Sequence, residues 1–296
     1  YSNKDAIQEF ISYTQKYWTE PKPKYVLLVG DTDIIPGYMV SSSIEDEGSI
    51  PIDEWYTINQ FEEDNFPDLA IGRWPINNES ELESIIQKTM AFENGKGLNQ
   101  SLKNLIFLND EETNQTTQTV FEDLSSTFIS TLVPPYIQTS RIDIRAESPF
   151  HESKQSFINE INNGIGHLIY YGHGTPTSWS RQNYLTIDDV LSLEPNGQPF
   201  LLSTMGCSQN FNLLDEGSLV EEVLLLPNGG AVATIASSGL NGYITGDRFI
   251  SNVHSRLFQN QEKTLGEIIL GVKQDTYTEA TKQDDMTRRF TLLGDP

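Results

Sequence analysis

Two apolar runs of this chain each end close to a residue that can do chemistry. The segment HLIYY, residues 167–171, is followed by His173 between two glycines, and FLLST, residues 200–204, is followed by Cys207, the only cysteine. In open α/β sheets, functional groups collect at the carboxyl ends of the strands. One strand–helix–strand unit separates the two runs, and strands joined in that way can lie side by side. We therefore expect His173 and Cys207 to face one cleft.

A thiol beside an imidazole is the pair that nucleophilic catalysis by cysteine needs. A free thiol has a pKa of about 8.5, so it is mostly protonated at neutral pH, and a neighbouring imidazole can take its proton. The backbone N–H groups of Gly174 and Cys207 can together stabilise an oxyanion, by about 3–4 kcal/mol for each donor. The alternatives are an inert buried cysteine and a structural loop histidine.

The elements that position these residues alternate between apolar runs and amphipathic stretches. Apolar residues at helical spacing predict a helix over 79–93, and Thr186–Asp189 has the pattern of a capping box. Continuous apolar strands between helices predict an α/β fold, with a mainly parallel sheet flanked by helices on both faces. Further strands are predicted at 25–30, 68–74, 104–109, 136–142 and 230–237, and further helices at about 116–131, 153–163, 216–226, 246–258 and 264–280.

The pattern restarts after NGKG at 94–97, which predicts two side-by-side subdomains. Residues 1–97 form an N-terminal, non-catalytic α/β subdomain that is incomplete by itself, and residues 98–296 form the catalytic subdomain. Within the first, segment 41–67 is rich in Ser, Asp and Glu and is predicted to be a polar loop.

The charge of the chain limits its partners. Asp and Glu number 42 against 19 Lys and Arg, a formal net charge of -23. Proteins that bind nucleic acids or anionic membranes need a cationic face, so neither partner is expected. No apolar run approaches the roughly 20 residues that span a bilayer. The chain opens at Tyr1 without a signal-like segment, and we expect it to be a processed or excised form.

Six motifs follow one another along nearly the whole chain: YVLLVGDTDIIP (25–36), DLAIGRWP (68–75), YYGHGTPTSW (170–179), TMGC (204–207), SLVEEVLLLPNGGAVATIASSG (218–239) and LLGDP (292–296). In this order they resemble the gingipain-type family of cysteine peptidases, within the caspase-like group. The resemblance implies a caspase-like fold and endopeptidase activity.

Carried over by motif, the resemblance implies a role for each catalytic residue. Cys207 would attack the scissile carbonyl, His173 would be the general acid/base, and the N–H groups of Gly174 and Cys207 would hold the oxyanion. Water would then hydrolyse the thioester. An acidic residue that orients the histidine is expected after an earlier strand, where Glu111 in NLIFLNDEET is the best match and Asp110 is close behind.

The resemblance says less about the substrate. The best-known members hold a basic P1 side chain through an aspartate in the loop that here reads ETNQTTQT (112–119), and this loop has no aspartate. Tyr243 is the expected aromatic wall of the S1 pocket, and Asp247 is a source of negative charge. Tyr171 and Thr175, close to the histidine, complete the predicted substrate-binding residues.

Catalysis is expected to need no cofactor, but several relatives bind structural calcium. The acidic loops GDTD (30–33), EDEG (45–48) and DEWY (53–56) offer oxygen ligands, and Asp31, Asp33 and Asp53 are the predicted ones. A hydrated acidic surface is the alternative. Zinc is not expected, because His151, His167 and His254 are scattered and no second cysteine accompanies them.

These observations predict a secreted or cell-surface cysteine endopeptidase that acts on polypeptides. Two alternatives are a transpeptidase of the same family and a catalytically idle domain used for binding or scaffolding. Replacement of Cys207 by alanine separates the idle domain from the enzymes. The sequence predicts neither the natural substrate nor the oligomeric state.

Overall fold

The computed structural model describes residues 3–62, 66–95, 103–112, 119–194, 198–211, 217–227, 229–259, 263–276 and 288–296. The helices are α1 Lys4–Tyr17, α2 Glu79–Glu93, α3 Val120–Leu132, α4 Lys154–Asn163, α5 Ile187–Leu191, α6 Leu219–Leu225, α7 Tyr243–Gln259 and α8 Leu265–Thr276, with a 3-10 helix at Glu54–Thr57. The strands are β1 Tyr25–Val29, β2 Tyr38–Ser41, β3 Ser49–Ile52, β4 Ala70–Trp74, β5 Asn104–Asn109, β6 Gln138–Asp143, β7 His167–Tyr171, β8 Ser178–Trp179, β9 Leu185–Thr186, β10 Phe200–Thr204, β11 Ala231–Ser237 and β12 Phe290–Leu293.

Eight of these strands form one sheet, in the order β1-β4-β12-β11-β10-β7-β5-β6. Among the described strands of this sheet, neighbours are parallel everywhere except at the antiparallel pair β11–β12. The strands β1, β4 and β12 therefore run opposite to the other five. The predicted mainly parallel α/β sheet is confirmed.

Helices cover both faces of the sheet, because its central strands are apolar on both sides. In β7, Leu168 and Tyr170 belong to one buried cluster with residues of α2, α4, α5 and α6. Their neighbours Ile169 and Tyr171 belong to a second cluster with residues of α3, α7 and α8. This alternation is what a fully buried parallel strand requires.

The predicted helices and the longer strands agree with the structure, whereas short strands that form only by pairing with another strand were not predicted. Helix α2 covers the predicted 79–93, and the capping box at Thr186 is confirmed, with its N–H 2.9 Å from Asp189 Oδ2. The prediction of a polar loop over 41–67 is wrong, since this segment contains β3 and the 3-10 helix. Strand β12, only four residues long, is also absent from the prediction and is the antiparallel member of the sheet.

The residues of the predicted N-terminal subdomain join the rest of the sheet through β12. Strands β1 and β4 lie at one end of the sheet, and β4 pairs with β12 at Arg73 and Leu293. The proposed boundary at residues 97 and 98 lies outside the described residues, so the division into two subdomains stays a prediction.

A buried ion pair joins β4 to the segment after β3. Arg73 Nε lies 2.7 Å from Asp53 Oδ2 and Nη2 lies 2.6 Å from Oδ1, while Nη1 donates to the carbonyl of Gly30 at 2.6 Å. The Arg73 side chain is 0% exposed and that of Asp53 is 1% exposed. Both oxygens of Asp53 therefore face a guanidinium, which contradicts the prediction of Asp53 as a calcium ligand.

Breaking this pair on one side should destabilise the fold strongly. We expect Asp53→Ala to lower the free energy of unfolding by about 3–5 kcal/mol, because it leaves a buried unpaired guanidinium. The double variant Asp53→Leu, Arg73→Met should recover most of that loss. Urea unfolding measures both, with Asp33→Ala as an exposed control expected to change stability by less than about 0.5 kcal/mol. Equal effects of the Asp53 and Asp33 changes would contradict the expectation.

A buried histidine on α7 makes the fold sensitive to acid. His254 is fully buried, its ring lies edge-on to Phe128, and its Nδ1 is 3.0 Å from the carbonyl oxygen of Ile250. Burial, with a smaller contribution from the charge of His167, lowers the pKa of His254 to about 3.

The free energy of unfolding should fall as the pH is lowered below about 6.5, because the unfolded chain then binds a proton at His254 that the folded chain takes up only near its pKa of about 3. Urea unfolding at pH 6.5, 5.5 and 4.5 measures this slope. We expect His254→Phe to reduce this slope by more than His151→Phe, a change at an exposed site, does. An unchanged slope in His254→Phe would show that this group does not contribute.

Candidate active site

His173 and Cys207 follow two strands that lie side by side. Strands β7 and β10 are parallel, with Tyr170 opposite Thr204, and the N–H of Met205 donates to the carbonyl of Tyr170 at 3.1 Å. Both loops therefore leave the sheet at the same edge, as parallel strands require. The side-by-side position of these two strands, expected from the sequence, is confirmed.

Gln209 connects the two loops. Its Nε2 donates to the carbonyl of Thr175 in the histidine loop and to the carbonyl of Cys207 at 3.3 Å, and its Oε1 accepts from Trp179 Nε1. A Cβ atom at Gly174 would overlap Gln209 Nε2 and lie 3.3 Å from the Cys207 carbonyl oxygen. A side chain at 174 would therefore have to displace the Gln209 amide from these contacts. Sequence analysis missed Gln209, since an amide near a motif gives no signal of a contact.

Two carboxylates hold the histidine. Glu112 Oε2 lies 2.9 Å from His173 Nε2, and Asp110 Oδ2 accepts from the His173 backbone N–H at 3.1 Å. The side chains of His173 and Glu112 are 25% and 18% exposed, so the pair is reached by solvent only in part. The hydroxyl of Tyr170 donates to the His173 carbonyl at 2.6 Å. The histidine is thus fixed at its ring and at its backbone.

The carboxylate on the ring comes from Glu112 and not from the predicted Glu111. The N–H of Glu111 donates to Asp110 Oδ1 at 2.8 Å, and Glu111 is half-buried in the same loop. In an extended chain alternate side chains share a side, and Asp110 and Glu112 both reach His173. The expectation of an acidic residue after β5 therefore holds, displaced by one position.

The Cys207 thiol lies under the loop that follows β11. Its Sγ accepts from the N–H of Asn241 at 3.3 Å and lies 3.6 Å from the Asn241 carbonyl oxygen. Burial raises the pKa of Cys207, and the Asn241 N–H acts in the opposite direction because it favours the thiolate. Ser208 has a φ of 51°, in the left-handed region, and its N–H donates to the Gly239 carbonyl at 2.8 Å. This strained turn leads the chain away from β10.

Gly174 and Cys207 lie at the contact between the two loops, where a Cβ atom at Gly174 would lie 3.3 Å from the Cys207 carbonyl oxygen. In the part of the chain that the structure describes, neither N–H donates to a protein acceptor, while the flanking groups are used: Thr175 N–H donates to the Ser178 carbonyl at 2.9 Å, and the His173 carbonyl accepts from Ser180 N–H at 2.8 Å. Two backbone donors at this contact are therefore not used by acceptors among the described residues.

The predicted substrate-binding residues fall into two groups. Tyr243, at the start of α7, is 42% exposed, and Thr175 is also exposed. Tyr171 is 0% exposed, and its hydroxyl donates to Asp247 Oδ1 at 2.9 Å. A direct substrate contact of Tyr171 is thus contradicted by its burial in β7, where it instead holds Asp247. Most of the loop ETNQTTQT, residues 113–118, lies outside the described residues.

The predicted calcium ligands do not come together. Asp31 Oδ1 accepts from the N–H of Thr32 at 2.6 Å, Asp33 is exposed, and Asp53 is paired with Arg73. The described residues contain no group of three or more His, Cys, Asp or Glu side chains that could hold a metal ion. These three aspartates therefore do not fit a calcium ion, and calcium binding by the chain stays a prediction. None of the described helices has the length and apolar character needed to cross a membrane.

Comparison with known sequences identifies the family. Residues 1–296 match the family described as Peptidase family C25. Gingipain R2 of Porphyromonas gingivalis is 24% identical over 310 residues, which cover 99% of this chain and 39% of that protein. Gingipain R1 of the same species is 24% identical over 310 residues, covering 99% of this chain and 29% of that protein. The chain thus spans well under half the length of these relatives.

Solved structures share the fold. The crystal structure of the Arg-specific cysteine proteinase gingipain R has a TM-score of 0.76 and 21% identity, covering 99% of this chain and 68% of that chain. A structure described as a protease has a TM-score of 0.79 and 18% identity, with the same coverage of 99% and 68%. The predicted gingipain-type fold is confirmed. The chain therefore belongs to Peptidase family C25, a family of cysteine peptidases.

Proposed function

We propose that this chain is a cysteine endopeptidase that hydrolyses polypeptides by means of Cys207 and His173. The observation that carries the proposal is the position of their two loops, which leave neighbouring strands at one edge and are joined through Gln209. Membership of a cysteine peptidase family supports it. Glu112 contacts the His173 ring, and the Asn241 N–H contacts the Cys207 sulfur.

The first requirement of the reaction is a base that removes the proton from the Cys207 thiol. Because burial raises the pKa of Cys207, the resting sulfur is a thiol, and attack on a carbonyl needs a base. His173 Nε2 faces Glu112, so the tautomer with its proton on Nε2 is favoured. Nδ1 then carries the lone pair, and we assign it as the atom that takes the Cys207 proton.

The remaining steps use the same groups. The sulfur of Cys207 attacks the scissile carbonyl, and the N–H groups of Gly174 and Cys207 stabilise the resulting oxyanion. His173 then gives its proton to the leaving amine, which departs and leaves a thioester on Cys207. Water, deprotonated by His173, attacks the thioester; the C–S bond breaks, the peptide leaves as a carboxylic acid, and the sulfur takes the proton back from His173. No cofactor takes part in these steps.

A basic P1 residue is our proposal for the substrate. Tyr243 and Asp247 lie four residues apart on α7 and so share a face of the helix. The loop before α7 contacts the Cys207 sulfur through Asn241, so this helix end lies next to the nucleophile. The net charge of -23 attracts basic substrates at long range. We also propose that the protein acts outside the cell, as predicted from the resemblance.

The transpeptidase and the idle domain remain the competing functions. A transpeptidase would use the same thioester but pass its acyl group to an amine, whereas an idle domain would keep its function without the thiol. Peptide products therefore separate the first from a hydrolase, and Cys207→Ala separates the second.

The first test is proteolysis of a denatured proteome, with mass spectrometry of the new peptide termini. We expect cuts by the unaltered chain and a loss of at least about 1,000-fold in rate with Cys207→Ala or His173→Ala, because each removes a reacting group. His151→Ala, at an exposed histidine outside the site, is the matched control and should keep full activity. Cuts that persist in Cys207→Ala would refute the proposal, and acyl transfer to an added amine in place of new termini would favour the transpeptidase.

The second test compares two neighbouring carboxylates. We expect Glu112→Gln to lower kcat by about 10-fold or more, because the amide no longer favours the proton on His173 Nε2 or the imidazolium ion. Glu111→Gln should leave kcat within about twofold, since Glu112 remains in place. Steady-state kinetics across pH on one fluorogenic peptide measures both. A larger loss in the Glu111 variant would return the orienting role to the residue predicted from the sequence.

A further inference from the structure

The loop Ser238–Asn241, which follows β11, contacts Cys207 at one end and the β2–β3 hairpin at the other. Asn241 N–H lies 3.3 Å from Cys207 Sγ, and Asn241 Nδ2 donates to the Met205 carbonyl at 3.2 Å. One residue earlier, the N–H of Leu240 donates to Glu47 Oε1, in the turn between β2 and β3. The position of the Asn241 N–H on the Cys207 sulfur is thus linked, through Leu240, to the distant carboxylate of Glu47.

Glu47 is itself held by a buried arginine. Arg289, at the start of β12, is 0% exposed, and its Nη1 lies 3.1 Å from Glu47 Oε2. The same Nη1 donates to the Leu240 carbonyl, and Nη2 lies 3.3 Å from Ser42 Oγ, which donates to Glu47 Oε2. Leu240 is therefore held at its N–H by Glu47 and at its carbonyl by Arg289.

We propose that Glu47 is a positioning residue for the nucleophile: through Leu240, it keeps the Asn241 N–H on the sulfur of Cys207. The inference deepens the proposed function and rests on it, since it assigns the thiolate as the reacting form of Cys207. A hydrogen bond to the sulfur favours the thiolate, which is the nucleophile.

The charge of Glu47 raises the pKa of Cys207, whereas its contact with Leu240 holds the Asn241 N–H that favours the thiolate. Because the two effects on thiol reactivity have opposite signs, an experiment can separate them. The charged groups near Cys207 are Glu47, which raises its pKa, and Arg289 and Arg181, which lower it. On the adjacent strand and its loop, the titratable neighbours are Tyr170, which is buried in β7, and His173, which follows β7. If Glu47 acted only as a charge, its neutralisation would make the thiol more reactive. If it positions Asn241, loss of its oxygen makes the thiol less reactive.

The experiment compares Glu47→Gln with Glu47→Met. Both variants lose the charge and have side chains of similar length, but only glutamine keeps an oxygen that accepts the Leu240 N–H. The readout is the rate of Cys207 alkylation by iodoacetamide from pH 5.5 to 9.5. At pH 7 we expect Glu47→Gln to react as fast as the unaltered chain or faster, and Glu47→Met to react at least about threefold slower than Glu47→Gln. Glu45→Gln, an exposed acid in the same turn, is the control and should leave the rate unchanged.

A second variant keeps every charge. A Cβ atom at Gly239 would overlap Glu47 Oε1, lie 2.7 Å from Ile50 Cγ2 and lie 3.3 Å from Arg289 Nη1. We expect Gly239→Ala to displace the Glu47 carboxylate from Leu240 and to slow alkylation at pH 7 at least about threefold. This variant decides the question if Glu47→Met does not fold, as judged by circular dichroism.

Equal alkylation profiles for Glu47→Gln and Glu47→Met, or an unchanged profile for folded Gly239→Ala, would overturn the positioning role. Alkylation needs no peptide hydrolysis, so the two proposals fail separately. A contrast between the variants in a chain that cuts no proteome would keep the positioning role and refute the peptidase. Cleavage of the proteome without a contrast between the variants would support the peptidase and refute the positioning role.

Discussion

The antiparallel pairing of β11 with β12 is the interaction on which the rest of the structure depends. It is the one point in the described sheet where the strand direction reverses, and it joins β1 and β4 to the strands that carry His173 and Cys207. Four residues of β12 make this connection, and all four are buried. Its last residue pairs with Arg73 of β4, and Arg289, next to its first residue, contacts the loop beside the cysteine. Loss of this short strand would separate the buried ion pair from the active-site loops.

The sheet edge that carries His173 and Cys207 combines the close approach of two loops with the burial of a thiol. Gly174 allows the histidine loop to touch the cysteine loop, and Gln209 fills the space that a side chain at 174 would occupy. Burial of Cys207 raises its pKa, and the backbone N–H of Asn241 opposes that effect together with the charges of Arg289 and Arg181. A thiol in such a place reacts only when its hydrogen-bond donors and its base are held correctly. In the proposed mechanism, the contacts that hold the loops therefore support the chemistry.

The sequence predicted the parts of the molecule that depend on local pattern. Apolar runs of three or four residues located β5, β7 and β10, and motif order led to His173 and Cys207. It failed where a partner decides the structure: β12 has four residues and no periodicity, and its direction depends on β11 and β4. The same limit explains Glu112, which differs from Glu111 only in the side of the chain that it faces. Asp53 looked like a calcium ligand because its sequence carries no sign of the buried Arg73 opposite it.

The contact between Glu47 and Arg289 spans 242 residues of sequence. During synthesis, His173 and Cys207 are added to the chain before Arg289. Every growing chain that ends before β12 therefore lacks the arginine that holds the loop on the sulfur. Contacts between distant parts of a sequence also form slowly after synthesis. The contact of Arg289 with Glu47 and Leu240 can therefore form only after residue 289 has been synthesised.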